Sequence, residues 1–170
     1  MKNNLVFIFL TLFVLAMVLP SKAAEAPKLI SSHGDWNVYS FMDNKDKVCF
    51  MSSQPYKKEG KYKKRGEVFM FITSWSSNKD KNVVSISNGY TFKGGSTVVV
   101  KVDKKSFKMF TQGEMAWTKN QNADNALTQK IRQGSSLSVS GFSKYGTKTT
   151  DTYSLKGSGS AYKALVRECK

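Results

Sequence analysis

Short runs of alternating or β-branched residues, each cut off by a turn signal, follow one another from Gly34 to Leu155. Such a succession restricts a chain to architectures in which many brief strands share one core. Over residues 35–41 the alternation sets Trp36 and Val38 on one face and Tyr39 and Phe41 on the other. Residues 48–51 form a compact apolar run. Over residues 68–75 the pattern stops alternating, and Phe69, Phe71, Ile72 and Trp75 predict a strand buried on both faces. Asn88-Gly89, between 83–86 and 90–92, carries the strongest short hairpin signal. Asp103-Lys104-Lys105 and Lys144-Tyr145-Gly146 mark two further turns, the first between 97–102 and 107–110, the second between 137–142 and 149–155.

Two segments break this rhythm. Residues 124–133 predict a helix with Asn122 or Asp124 as cap, Gly134 as stop, and Leu127 and Ile131 on one face. Residues 160–168 predict a second, capped by Ser158 or Ser160, whose last turn would deliver Cys169 to Cys49. Many strands and two short helices point to an all-β sandwich or barrel.

The N-terminus bears on compartment. Lys2 opens a polar start, residues 5–19 are apolar but for Thr11, and Pro20 and Ser21-Lys22-Ala23 follow. A charged start, an apolar stretch of about 7–15 residues and an A-x-A-like end describe a secretory signal. A membrane-spanning helix wants about 20 apolar residues, and Pro20 closes this run earlier. The expectation is therefore a signal at 1–23, a tether at 24–33 and a single domain at 34–170, exported to the periplasm. No cysteine stands at the signal's end to take a lipid. Loss of Lys2 and Lys22 lowers the formal charge from +15 to +13. So positive a chain attracts phospholipid headgroups, lipopolysaccharide phosphates or acidic proteins, unless its lysines serve only solubility. Export removes nucleic acid from the expected partners.

Cys49 and Cys169 are the two cysteines. In an oxidising compartment such a pair tends to be bridged; the alternative is two buried thiols. A zinc site lacks ligands, because His33 is the single histidine, and the C-x-x-C spacing of a redox pair is absent.

The densest charge lies in Lys57, Lys58, Lys61, Lys63, Lys64 and Arg65, interleaved with Tyr56 and Tyr62. Cations beside aromatic rings suit a phosphate-rich surface or an acidic partner; the same run between two strands is equally a solvated loop. Catalytic signals are weak. Ser-x-x-Lys occurs at Ser76 and Ser160 without the companion elements, and no nucleophile elbow, zinc helix or P-loop is present. Glu67, Asp103, Glu114 and Asp151 fall in or beside different strands, so a glycosidase-like pair would have to be assembled by the fold. Trp36, Trp75 and Trp117 suit strand packing more than sugar stacking.

Several segments taken together resemble the invasion-associated locus B family of alphaproteobacterial envelope proteins. They are Gly34-Asp35-Trp36-Asn37-Val38-Tyr39-Ser40, Val48-Cys49-Phe50-Met51, Lys63-Lys64-Arg65-Gly66, Gly89-Tyr90-Thr91-Phe92, and Phe110-Thr111-Gln112-Gly113-Glu114 with Ala116-Trp117. Ile131-Arg132-Gln133-Gly134, Val139-Ser140-Gly141, Gly146-Thr147 and the stretch from Asp151 to Gly157 continue the match up to Cys169. The resemblance implies an immunoglobulin-like β-sandwich, exported, with no known catalytic activity, cofactor or accepted ligand residues. Some members have a cysteine where this chain has Tyr39 and Ser40, so Cys49–Cys169 is the pairing left to it. The expected function is a non-catalytic envelope accessory or interaction protein whose basic run contacts anionic envelope components or a partner protein. Two other readings stand beside it, a surface-exposed or secreted adhesin and an envelope hydrolase using a carboxylate pair.

Overall fold

The computed structural model describes residues 26–77 and 81–170. The expected signal, the start of the tether and Lys79 lie outside the described residues. The elements run β1 (Lys28–His33), β2 (Trp36–Asp43), β3 (Asp46–Ser53), β4 (Lys57–Gly60), β5 (Phe69–Trp75), β6 (Val83–Ser87), β7 (Thr97–Val102), β8 (Lys105–Gln112) and β9 (Met115–Trp117). Helix α1 (Gln121–Gln133), strands β10 (Ser136–Phe142) and β11 (Lys148–Ser154) and helix α2 (Ser158–Glu168) complete the chain. All strand pairs are antiparallel, in the order β1-β2-β3-β5-β6-β9-β8-β7-β10-β11-β4.

The all-β sandwich with two short helices expected from the sequence is what forms. Strands β1, β2, β3, β5 and β6 make one half and β8, β7, β10, β11 and β4 the other, with β9 bonded to both β6 and β8. Inward residues of both halves share one core, in which Trp36, Val38, Met51, Ile72 and Ile86 meet Val98, Val100, Leu137, Val139 and Tyr153. The Trp36 indole donates to Ser154 O at 3.1 Å, tying β2 to β11 across the layers. The helices lie on the same inward side. Leu127 and Ile131 of α1 and Ala161 and Leu165 of α2 are buried in that core, and Asp124 of α1 accepts from Val84 N at 2.8 Å. The expected disulfide is present, with the Cα atoms of Cys49 and Cys169 5.7 Å apart.

The sequence reading and the structure differ at several places. The tether of 24–33 is, from Lys28 onward, edge strand β1, paired with β2 through a register shift between Leu29 and Ser31. His33 is therefore placed in a strand, its Nε2 3.0 Å from Ser31 Oγ. Part of the basic run is likewise strand β4, on the opposite edge. Short, lysine-bearing edge strands discourage pairing with another chain, which accounts for Lys57 and Lys58 without any ligand. Asn88-Gly89 turns the chain but makes no hairpin, because β9 occupies the edge of β6 that residues 90–92 would need. The caps also shift: Asn120 caps α1, accepting from Ala123 N at 3.0 Å, and Gly157 opens α2 at φ 90°. A Cβ at Gly157 would strike His33 O, so the β1–β2 turn seats directly on the start of α2.

Candidate anion-binding site

The basic run divides into three parts. Lys57 in β4 pairs with Glu59 at 3.0 Å, both well exposed, and is screened by solvent. Lys58 is exposed on the same strand, opposite Asp151. Residues 61–65 then leave the sheet edge as a strap that returns to the core at Arg65.

Arg65 is the anchor. Its Nη1 and Nη2 donate to the two carboxylate oxygens of Asp151 at 2.7 and 2.5 Å, and its Nε donates to Asn88 O at 2.5 Å. The Arg65 and Asp151 side chains are 4% and 0% exposed. A planar fork meeting a carboxylate in two parallel bonds suits arginine and not lysine. Burial pulls the Arg65 pKa down, and the hydrogen bonds and charge of Asp151 more than reverse that, leaving it above its ordinary value. The Tyr62 and Tyr90 rings flank the guanidinium at 5.3 and 5.2 Å. Tyr90 is held in turn by Asn88 Nδ2 at 3.1 Å and Thr149 Oγ1 at 2.7 Å. Gly89, at φ +70°, lies against Gly66, whose N–H donates to Gly89 O at 2.9 Å; a Cβ at Gly89 would collide with Gly66. Arg65 thus belongs to the fold, and its expected place in the contact surface is corrected: a guanidinium paired on both arms and buried cannot meet a partner.

What Arg65 positions is a cavity of about 360 Å³ lined by Lys61, Tyr62, Lys63, Lys64, Tyr90, Ser143, Tyr145, Thr147 and Thr149. Lys61 and Thr147 also border a shallower depression with Gly60 and Lys148. Lys144 Nζ stands 5.0 Å from the Tyr145 ring centroid. Neither hollow has a carboxylate among its lining residues. Among the described residues Lys61, Lys63, Lys64, Lys144 and Lys148 form no ion pair. The arrangement offers concentrated positive charge, hydroxyl donors from serine and threonine, and tyrosine rings; Tyr145 is 84% exposed. Such a mixture suits a phosphate on an amphipathic body.

Sequence reasoning located Lys61, Lys63 and Lys64 but did not bring Lys144, Lys148, Tyr90, Tyr145 and Thr149 to them, nor pair Arg65 with Asp151; all of these arrive from the other half of the sequence. Two of the other carboxylate candidates are engaged elsewhere. Glu67 accepts from Gln54 at 2.8 Å, and Asp103 accepts from the N–H groups of Ser135 and Ser136 at 3.3 and 3.2 Å. Asp43 and Asp46 border one open depression, where Ser77 and Ser76 side chains hold Asp46 below its ordinary pKa; an acid catalyst needs the opposite shift. Trp36 is buried in the core, while Trp75 and Trp117 are half-buried on the outer face. Among the described residues no cluster of three His, Cys, Asp or Glu could hold a metal, and no helix is long and apolar enough to cross a membrane.

The family model described as invasion associated locus B (IalB) protein matches residues 36–166. No curated protein and no solved structure matches the chain.

Proposed function

The chain belongs to the invasion associated locus B family, and from that premise we propose that it is an exported, non-catalytic envelope protein that docks on anionic lipid headgroups. The observation that carries this reading is the set of unpaired lysines around a tyrosine-lined cavity with no acid among its lining residues. Lys61, Lys63 and Lys64 would face the phosphate, with Lys144 and Lys148 extending the field. Tyr62 and Tyr145 would lie at the headgroup level, where amphipathic rings partition. Phospholipid and lipopolysaccharide share the phosphate chemistry, so either source suits the site. An N-terminal secretory signal would bring the protein into the cell envelope, whose membranes contain both.

The test is binding of the oxidised chain to vesicles of zwitterionic lipid, of zwitterionic plus anionic phospholipid, and of zwitterionic lipid plus lipopolysaccharide. At about 1 kcal/mol per lysine near a charged surface, replacing Lys61, Lys63 and Lys64 together by Gln should weaken binding on the order of 100-fold. Raising salt should weaken the wild type in parallel. Equal binding to all three vesicles, or an unaffected triple variant, would exclude the headgroup reading.

A further inference from the structure

Two hydroxyls that line the lysine-bordered cavity are buried, and each carries a hydrogen that the fold does not use. Thr149, in β11, is 1% exposed, and Ser143, just after β10, is 7% exposed. Ser143 Oγ accepts from Thr147 N–H at 3.2 Å, inside a tight turn closed by Gly146 N–H on Ser143 O at 2.8 Å. Its oxygen is thus occupied, and among the described residues its hydrogen has no acceptor. Thr149 reaches the same state through a relay. Asn88, fully buried, donates from Nδ2 to the Tyr90 hydroxyl at 3.1 Å, and an amide nitrogen can only donate. Tyr90 accepts there and turns its own hydrogen to Thr149 Oγ1, 2.7 Å away. The Thr149 hydrogen is what remains at the end of this chain. Arg65, packed 5.2 Å from the Tyr90 ring centroid, holds the relay in place, so both donors are set before any ligand arrives.

Resting on the reading that this cavity takes anionic headgroups, we infer that it selects phosphomonoesters over phosphodiesters, with Thr149 and Ser143 as the selecting donors. A buried hydroxyl with an unspent hydrogen calls for an acceptor, and here two of them border one cavity. A phosphate monoester ends in three non-bridging oxygens and carries about −1.5 to −2 charges near pH 7. It enters end-on, gives one oxygen to each buried hydroxyl and leaves the third to Lys61, Lys63 and Lys64 of the strap. A diester has only two such oxygens and a single charge, and its ester arms leave on both sides. Bringing its oxygens to Thr149 would therefore force an arm into the cavity. The absence of any carboxylate among the lining residues also suits the more highly charged group. Hydrogen bonds to charged oxygens are the strong ones, whereas the lysine field alone responds to charge and not to the number of ester bonds. The exposed Tyr145 beside the cavity favours a membrane-borne monoester; a soluble one shares the chemistry.

The test is binding of the oxidised chain to zwitterionic vesicles doped with phosphatidic acid, a monoester, or with phosphatidylglycerol, a diester, at equal measured surface potential. The chain should prefer phosphatidic acid by about tenfold or more, the effect of one hydrogen bond to a charged oxygen. Thr149→Val, close in shape, should bring that ratio near one while binding to phosphatidylglycerol stays as it was, and Thr149→Ser should restore it. Tyr90→Phe leaves the Thr149 hydroxyl present but no longer oriented, and should lower the ratio alone. Native circular dichroism of each variant separates these effects from misfolding. Calorimetric binding of glycerol 3-phosphate would support a soluble source of the monoester, and selectivity confined to vesicles a lipid source. Equal binding to the two doped vesicles, or a preference that survives Thr149→Val, overturns the inference and leaves the headgroup reading standing. Binding no stronger to either than to undoped vesicles overturns both.

Discussion

Arg65 shows how one side chain can turn a charged loop into a shaped one. Its buried pairing with Asp151 joins residues 86 positions apart and fixes the strap whose lysines border the cavity. Removing one partner of such a pair strands a buried charge and costs about 3–5 kcal/mol. Asp151→Asn should therefore lower urea stability by about that much, and Arg65→Met with Asp151→Leu by less than the sum of the single changes. A strictly additive double variant would mean that packing, not charge, sets the cost. Glu168 makes a smaller, pH-dependent contribution. The hydrogen bond from Lys47, 2.5 Å from its carboxylate, together with Ser40, holds its pKa below the ordinary value. A folded pKa below the unfolded one means stability that is full above pH 4.5 and is lost as pH falls through the lower folded value. The pair is partly exposed, so about 0.5–1 kcal/mol is at stake. Glu168→Gln should flatten the acid limb of the stability profile by that amount and leave none of that stability at neutral pH; an unchanged profile would place the acid sensitivity elsewhere. Arginine itself was a legible signal: the chain has three, Arg65, Arg132 and Arg167, among 27 basic residues. Two of these sit at planar contacts, with Arg132 stacked on Tyr162 at 4.0 Å. What was not legible was which carboxylate Arg65 takes.

Helix α2 is the element most dependent on a covalent tie. It packs through Ala161 and Leu165 and ends in Cys169, bonded to β3. The bridge closes a loop of 120 residues, for which chain entropy alone predicts about 4–5 kcal/mol. Reduction should lower global stability by an amount of that order, and native-state hydrogen exchange should show α2 losing protection before β2 and β3 do. Uniform loss across all three would mean that the helix is held by its packing. Both helices were readable from apolar spacing, but their starts fell earlier than expected. Asn120 and Gly157 serve as caps because the preceding strand and turn end there, a tertiary fact. Strand β1 escaped reading because an edge strand needs only one buried neighbour and carries little alternation; four of its six residues are exposed. The Asn88-Gly89 hairpin failed for the converse reason. Its local chemistry favours a tight turn, but Asn88 is buried, with its carbonyl held by Arg65, and a strand far along the chain fills the vacant edge.

At the scale of the whole molecule the two outer faces differ in chemistry, one mostly polar despite the exposed Val99 and Phe142 and adjoining the lysine-lined cavity, the other aromatic and almost free of charge. The chain alone determined an all-β sandwich or barrel, the two helices, the cysteine pair and the abundance of lysine. These follow from local periodicity, turn residues, redox chemistry and composition, none of which depends on distant contacts. Only the tertiary structure decided that Arg65 is buried while Lys61, Lys63 and Lys64 are not, that Tyr90 and Tyr145 join them, and that Phe50, Phe69 and Phe71 line one outward surface. A charge's role depends on whether a distant carboxylate reaches it, and a ring's role on which side of a folded sheet the register places it. Both are set by pairings between residues that the linear sequence holds far apart.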